Sequence, residues 1–445
     1  MVIEKSDNRK ILIISYLFPP LNNIGALRTQ KFFIYLPQFG WDTFVVTANS
    51  EKRSHKPITS KERNETRIFR TATSFNLATM VYNSLGGEEV LSPRPQRKVN
   101  TLKKSIHSML RFLQPLYMLP IIERLVSDPI FWYFTARKQA VKIIKDNNIK
   151  LIFSTSNPPT AHFIASWLQK KTGVTWLAEF RDPWVDPYDE RSWLYEFIEN
   201  KLEKRVLKRA RSLIAVSEPN ARLLETIHHK QVTIITNGFD ENDYKKNVPL
   251  TDKFTITYTG SIYAGKRDPK ILFAAVAEMK KGCQLSPDQF ELRFFGGNVK
   301  ETLSPLVEKF ELDGLVKIHG QVPLYESIKA QKESTILLLL EWNNPRAVGA
   351  YGAKVFEYLG AARPILALGY KTSVIDQLLS ETGAGVLVDE VETATNTLKC
   401  WFEEWQKQKK ITSHWQPNPR IINKYSRFEQ TRKLAVLLDE ISKPI

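Results

Sequence analysis

Lys354 and Glu357 stand three residues apart in "GAYGAKVFEYLGAARPILALG", residues 349–369. That spacing puts both on one face of a short helix, Lys354 to Leu359, entered from a glycine-rich loop and broken at Gly360 and Pro364. A helix start leaves backbone N–H groups unpaired and favours anions. A lysine there runs against the helix dipole, which makes better sense with a diphosphate opposite it. Glu357, a turn later, can accept ribose hydroxyls. The plain alternative is a surface Lys–Glu pair worth only about 0.2–0.5 kcal/mol.

Similar groups recur after other apolar runs. "YTGSIYAGKRDP" sets Gly260 at the end of one run and Lys266-Arg267 before a helix, two cations able to neutralise a diphosphate. In "FFGGN", Gly296 ends another run, where a backbone can approach a ligand closely. His319 in "IHGQVP" reads as structural. Nearer the N-terminus, "SYLFPPLNNIGALR" places Gly25 where a loop enters a helix, with Arg28 a turn further on. "TSNPPTAH" is a rigid polar loop carrying Asn157. "EFRDPWVDPYDE" crowds Glu179, Arg181, Asp182 and Asp186 around Trp184. A carboxylate beside an arginine and a stacking face can hold a hydroxyl-rich acceptor or act as a base; the alternative is an ion pair that locks the loop.

Positioning these groups is the work of short apolar strands alternating with helical patterns, the mark of βαβ units and parallel sheets. Strands are expected at 11–16, 43–47, 151–154, 176–180, 212–216 and 232–236, then at 255–258, 291–295, 316–319, 335–340, 365–368 and 385–388. At 445 residues the chain exceeds one ordinary core, and the polar stretch "DYKKNVPLTDK", 243–253, reads as a linker. In open α/β sheets ligands bind beyond the carboxyl ends of the strands, where the groups above fall.

Composition narrows the class. With 42% hydrophobic and 25% charged residues the chain reads as globular. Two cysteines, Cys283 and Cys400, exclude a disulfide framework and a four-cysteine zinc site, and fit a reducing compartment, the alternative being that the two pair with each other. No run of about 18 apolar residues predicts a membrane span, and the N-terminus reads as a buried strand, not a signal peptide. The net charge of +17 points to anionic partners, but no nucleic-acid motif accompanies it. Residues 94–150 hold twelve Lys and Arg against three acids, interleaved with Met, Leu, Phe and Tyr. Such a basic amphipathic segment can lie on an anionic membrane face; the alternative is a helical insertion packed on its own domain.

Taken in order, "SYLFPPLNNIGALR", "STSNPPTAH", "EFRDPWVD", "AVSEPNARLL", "TNGFD", "YTGSIYAGKRDP" and "GAKVFEYLGAARPILAL" resemble a retaining glycosyltransferase of family 4 over nearly the whole chain. The resemblance is to the branch that builds bacterial capsule, exopolysaccharide or lipopolysaccharide chains. It implies the GT-B fold: two Rossmann-like α/β domains with parallel sheets facing across a cleft. An acceptor-binding domain would span 1–247, with a basic amphipathic insertion at 94–135. A nucleotide-sugar-binding domain would span 248–424, and a C-terminal helix within 425–445 would return to the first domain.

By the same resemblance, the substrate is a UDP- or GDP-sugar, with no bound metal or cofactor, and the sugar passes to a glycan or lipid-linked acceptor, with the protein cytoplasmic or peripheral on the inner face of the plasma membrane. Lys266 and Arg267 would hold the diphosphate and stabilise the leaving group, and Glu357 would hold the ribose. Gly260, Gly296, Gly349 and Lys354 would line the donor site, with Gly25 approaching the diphosphate. Arg181, Asp182, Trp184 and Asn157 would serve the acceptor. Two departures stand out. Gly349 occupies the position, eight before Glu357, where much of the family carries a carboxylate. The family's histidine after a strand of the first domain is not evident, and Asp182 is the nearest polar candidate for a catalytic role there. A catalytically degenerate sugar- or partner-binding protein and a sugar-nucleotide 2-epimerase of the same architecture are the alternatives.

Overall fold

A computed structural model describes residues 9–21, 23–49, 65–73, 129–185, 193–262, 266–282, 285–297 and 299–443. Most of the basic segment, including all of 94–128, lies outside the described residues, as do Asp186 and Cys283. The chain divides into two compact units. Unit 1 comprises 1–216, 220–234 and 431–445, and unit 2 comprises 217–219 and 235–430.

The first unit runs β1 (Lys10–Ile14), α1 (Ile24–Tyr35), β2 (Asp42–Ala48), β3 (Ile68–Thr71), α2 (Ile130–Asp146), β4 (Leu151–Ser156), α3 (Thr160–Thr172), β5 (Thr175–Phe180), α4 (Trp193–Leu207), β6 (Ser212–Ala215), α5 (Glu218–His228) and β7 (Val232–Ile234). Its seven strands form one parallel sheet, ordered β3-β2-β1-β4-β5-β6-β7. Runs such as Leu12, Ile14, Ile152 and Ala178 are apolar because helices cover them, and Trp132, Ala136, Ala140 and Ile143 of α2 pack on them.

The second unit continues with α6 (Glu241–Tyr244), β8 (Phe254–Thr259), α7 (Lys270–Gly282), β9 (Phe290–Phe295), α8 (Val299–Lys309), β10 (Val316–Gly320), α9 (Leu324–Glu333), β11 (Ile336–Leu340), α10 (Ala353–Ala361), β12 (Ile365–Leu368), α11 (Val374–Thr382), β13 (Gly385–Val388), α12 (Val391–Gln408), α13 (Pro419–Asn423) and α14 (Arg427–Ile441). Its six strands are also parallel, ordered β10-β9-β8-β11-β12-β13. Phe254, Phe290, Phe402 and Trp405 stack in its core. From Thr431 onward α14 belongs to unit 1, where Asp439 accepts a hydrogen bond from Trp41 Nε1 at 3.0 Å and pairs with Arg9.

Both sheets reverse strand order once, between β1 and β4 in unit 1 and between β8 and β11 in unit 2. Ligands of open α/β sheets bind outside the carboxyl ends of the strands at such a switch point.

Every strand expected from sequence is present. Among the described residues one further strand, β3, has the sequence Ile-Phe-Arg-Thr, half-buried or exposed over three of four residues. As a sheet edge it carries no continuous apolar run, so its pattern does not stand out. Helix α10 also differs from expectation. It does not break at Gly360 but continues to Ala361, and Ala362 ends it at φ 53°. Gly360 is there for packing, since a Cβ would sit 2.8 Å from Tyr244 Cδ2 and 2.9 Å from Phe239 Cδ2.

Candidate active site

In unit 1 the residues after β4 and β5 form one knot. Arg28 of α1 pairs with Glu179 of β5 at 2.7 Å, each side chain only 1% exposed. This ion pair locks α1 to the sheet, and burial forbids either charge to stand alone. Just beyond β5, Arg181 turns under the start of α1. Its Nε donates to the Ser156 carbonyl and its Nη2 to the Asn157 carbonyl, the latter at 2.5 Å. A Cβ on Gly25 would lie 1.3 Å from Arg181 Nη1. The group that approaches Gly25 closely is therefore a guanidinium of the protein itself. Burial holds that guanidinium below its ordinary pKa range, Glu179 and Asp182 working the other way.

The structure thus brings Gly25, Asn157 and Arg181 together, and Asp182 follows on the exposed side. Trp184 turns inward. It stacks on His162 at 6.1 Å and 19°, and its Nε1 donates to Glu199 at 2.7 Å. Sequence reasoning passed over His162. Fully buried on α3, it contacts Ser154 Oγ through Nδ1 at 2.8 Å, while its Nε2 has no hydrogen-bond partner among the described residues. Burial, then Arg181, lowers its pKa to about 3, so the ring stays neutral. The signal was its place three residues beyond Pro159, where a helix starting after β4 must turn one face to the sheet.

In unit 2, Lys354 Nζ reaches Glu357 Oε2 at 2.7 Å. The fully buried Gln331 of α9 donates to the same oxygen at 3.1 Å, and to Thr259 Oγ1 at 3.0 Å. Tyr244 Oη donates to Gln331 Oε1 at 3.1 Å. The Lys–Glu pair is thus the outer end of a network rooted between β8 and α9. Both donors use Oε2, and Glu357 Oε1 receives no hydrogen bond from a described residue. Lys266 is exposed, with its ammonium 4.8 Å from the centre of the Trp342 ring, and Arg267 is half-buried beside it. Gly260 and Gly296 abut each other: a Cβ on Gly296 would meet the Gly260 carbonyl oxygen at 1.9 Å. Gly349 is buried in the loop before α10, which is tied to α11 by Val374 N–H donating to the Val348 carbonyl at 2.9 Å. His319 stacks flat on Phe295, 4.2 Å away.

The residue missed here is Glu341, directly after β11 at the switch point. Its carboxyl packs over the backbone of the loop entering α10, so that a Cβ on Gly352 would lie 1.7 Å from Glu341 Oε1. Among the described residues its carboxyl makes no hydrogen bond or ion pair. Burial pushes its pKa up to about 7, with Arg267 pulling the other way. In the sequence it is the polar end of "ILLLLEW", and its place after an apolar strand was the available signal. Among the described residues no cluster of His, Cys, Asp or Glu is placed to hold a metal ion. None of their helices is long and apolar enough to cross a membrane.

This architecture has known counterparts. Residues 100–243 match the model of Glycosyltransferase Family 4. Among curated proteins none matches by sequence. A glycosyltransferase from Rickettsia africae is 14% identical, with a TM-score of 0.59 over 98% of this chain and 100% of that one. The Anabaena protein HepE, solved in complex with UDP-glucose, is 14% identical, with a TM-score of 0.58 over 97% and 99%. The UDP-GlcNAc 2-epimerase of Methanocaldococcus jannaschii is 13% identical, with a TM-score of 0.50 over 97% and 99%. The fold is that of the GT-B glycosyltransferases, two Rossmann-like units each with a parallel sheet. Over residues 100–243 the chain is family 4-like.

Proposed function

We propose that the protein is a retaining glycosyltransferase that takes a sugar from a nucleoside-diphosphate sugar and passes it to a glycan or lipid-linked acceptor in cell-surface glycan synthesis. The observation that carries this reading is the set of groups at the β8/β11 switch point of unit 2. Lys266 and Arg267 follow β8, Glu341 follows β11, and Lys354 with Glu357 opens the next helix. Cations and a helix N-terminus suit a diphosphate, and Glu357 Oε1 suits a ribose hydroxyl. Glu341 suits a hydroxyl of the transferred sugar and supplies a carboxyl that Gly349 does not. An unpartnered carboxyl in such surroundings is costly, which is characteristic of functional sites.

Unit 1 would hold the acceptor along the loops after β4 and β5, with Asn157 and Asp182 at the surface, Arg181 beneath them tying the two loops together and Trp184 bracing them from below. Chemically the demand is electrostatic. As the glycosidic bond to the leaving diphosphate lengthens, negative charge grows on the phosphate oxygens and positive charge on the sugar ring. Lys266, Arg267, Lys354 and the start of α10 stabilise the former. Retention follows if the acceptor hydroxyl attacks from the face the diphosphate leaves, its proton passing to the departing phosphate.

Titration with UDP- and GDP-sugars, followed by assays of transfer and of sugar epimerisation, tests this. Micromolar binding of one donor with transfer to a glycan or lipid-linked acceptor is the expected result. Epimerisation of the free nucleotide sugar would instead select the 2-epimerase chemistry, and binding without turnover a degenerate relative. Absence of nucleotide binding would end the proposal.

A further inference from the structure

At the opposite edge of the unit 1 sheet, where the strands begin, lies a cavity of about 410 Å³. Four cations line it, Lys208, Arg209, Arg211 and Lys230, together with Gln169 and the Trp176 segment, and no carboxylate does. Cations at this edge have an ordinary use, since the helices end here and their carbonyls favour positive charge. Lys230 fills that use. Its Nζ donates to the carbonyls of Leu207, Lys208 and Ala210 at 2.9, 3.1 and 2.5 Å, covering the end of α4 with all three of its hydrogens. Lys208, Arg209 and Arg211 remain, all exposed, and none pairs with an acid among the described residues. The neighbouring last turn of α3 adds Lys170 and Lys171.

We infer that this cavity is a second, non-catalytic site of unit 1 that binds a phosphate-bearing ligand. Three cations with no acidic partner among the described residues match a ligand of more than one negative charge, which a phosphate monoester or diphosphate carries and a lone carboxylate does not. Two arginine forks match phosphate oxygens in pairs. The volume falls within the range of small-ligand sites. A soluble phosphate compound and a phospholipid headgroup present the same chemistry. The site lies at the other end of the strands from the loops proposed to hold the acceptor, so occupancy here does not compete with the acceptor within unit 1.

The test uses the full chain with Lys208, Arg209 and Arg211 all changed to Gln. A control carries the same loss of charge in unit 2, at the exposed Lys280, Lys281 and Lys300. Both proteins also carry Lys266→Gln and Arg267→Gln, so that the diphosphate-binding cations proposed in unit 2 do not contribute to the pyrophosphate reading. Two probes are applied: calorimetric titration with inorganic pyrophosphate, and flotation with vesicles of phosphatidylcholine with or without phosphatidic acid. The expected result is at least tenfold weaker binding of one probe by the unit 1 variant than by the control. Loss in the pyrophosphate arm alone assigns a soluble phosphate, and loss in the vesicle arm assigns a headgroup. Equal binding of both probes by the two variants overturns the site, whatever the outcome of the donor titrations.

Discussion

Changing Glu341 to Gln separates stability from donor binding in unit 2. The wild-type carboxyl is held at about 7 against an ordinary 4.5. Between these values the folded chain keeps a proton that the unfolded chain has released, so stability falls as pH rises through this window and levels off above it. At 1.36 kcal/mol per pKa unit, the loss amounts to about 3 kcal/mol between pH 4.5 and pH 8. Gln has nearly the same shape and no charge to lose. The variant should match the wild type at pH 4.5 and exceed it by up to about 3 kcal/mol at pH 8. Urea titrations at the two pH values, followed through the buried Trp401 and Trp405 of unit 2, measure the difference. The same variant should bind the nucleoside diphosphate as the wild type does but bind the intact nucleotide sugar about tenfold more weakly. A stability gap independent of pH would refute the desolvation of the half-buried Glu341 carboxyl, which no described residue pairs. Unchanged nucleotide-sugar affinity would refute its contact with the sugar.

Glu179→Ala leaves Arg28 charged and enclosed, and breaking such a pair should cost about 3–5 kcal/mol, read as a lowered denaturation midpoint of unit 1. Gly25→Ala drives Arg181 from its carbonyl partners; an acceptor KM raised severalfold with an unchanged donor KM is the expected signature. Glu357→Ala should weaken nucleotide binding by about ten- to a hundredfold, the worth of one charged hydrogen bond, with little change in folding. His162→Leu should flatten the acid side of the stability profile. The depressed histidine contributes stability that is full above pH 6.5 and lost as pH falls toward about 3, at about 1.4 kcal/mol per unit.

Much of the fold was legible because its cause is local. A strand covered on both faces must be apolar along its whole length, so "ILLLL" and "KILII" announce β11 and β1 without reference to anything distant. Edge strand β3 lacks that constraint and was not legible. The candidate donor groups were partly legible for the same reason, since they directly follow apolar runs and open helices.

What each of those groups meets was settled by residues far away in the chain. Gly25 and Arg181 are 156 positions apart, yet one has no side chain because the other's guanidinium fills the space. Glu357 reads as half of a surface pair until Gln331, from another helix, is seen to share its oxygen. Glu341 is an ordinary glutamate by type, and its proton affinity comes from packing against Gly352 and Gly369. The sequence by itself determined the elements, their alternation and the loops that carry polar groups, because propensity and periodicity act over a few residues. Only the tertiary structure decided which charges are paired, which are buried and which are left over, because desolvation and Coulomb energies depend on neighbours that the chain brings together by folding.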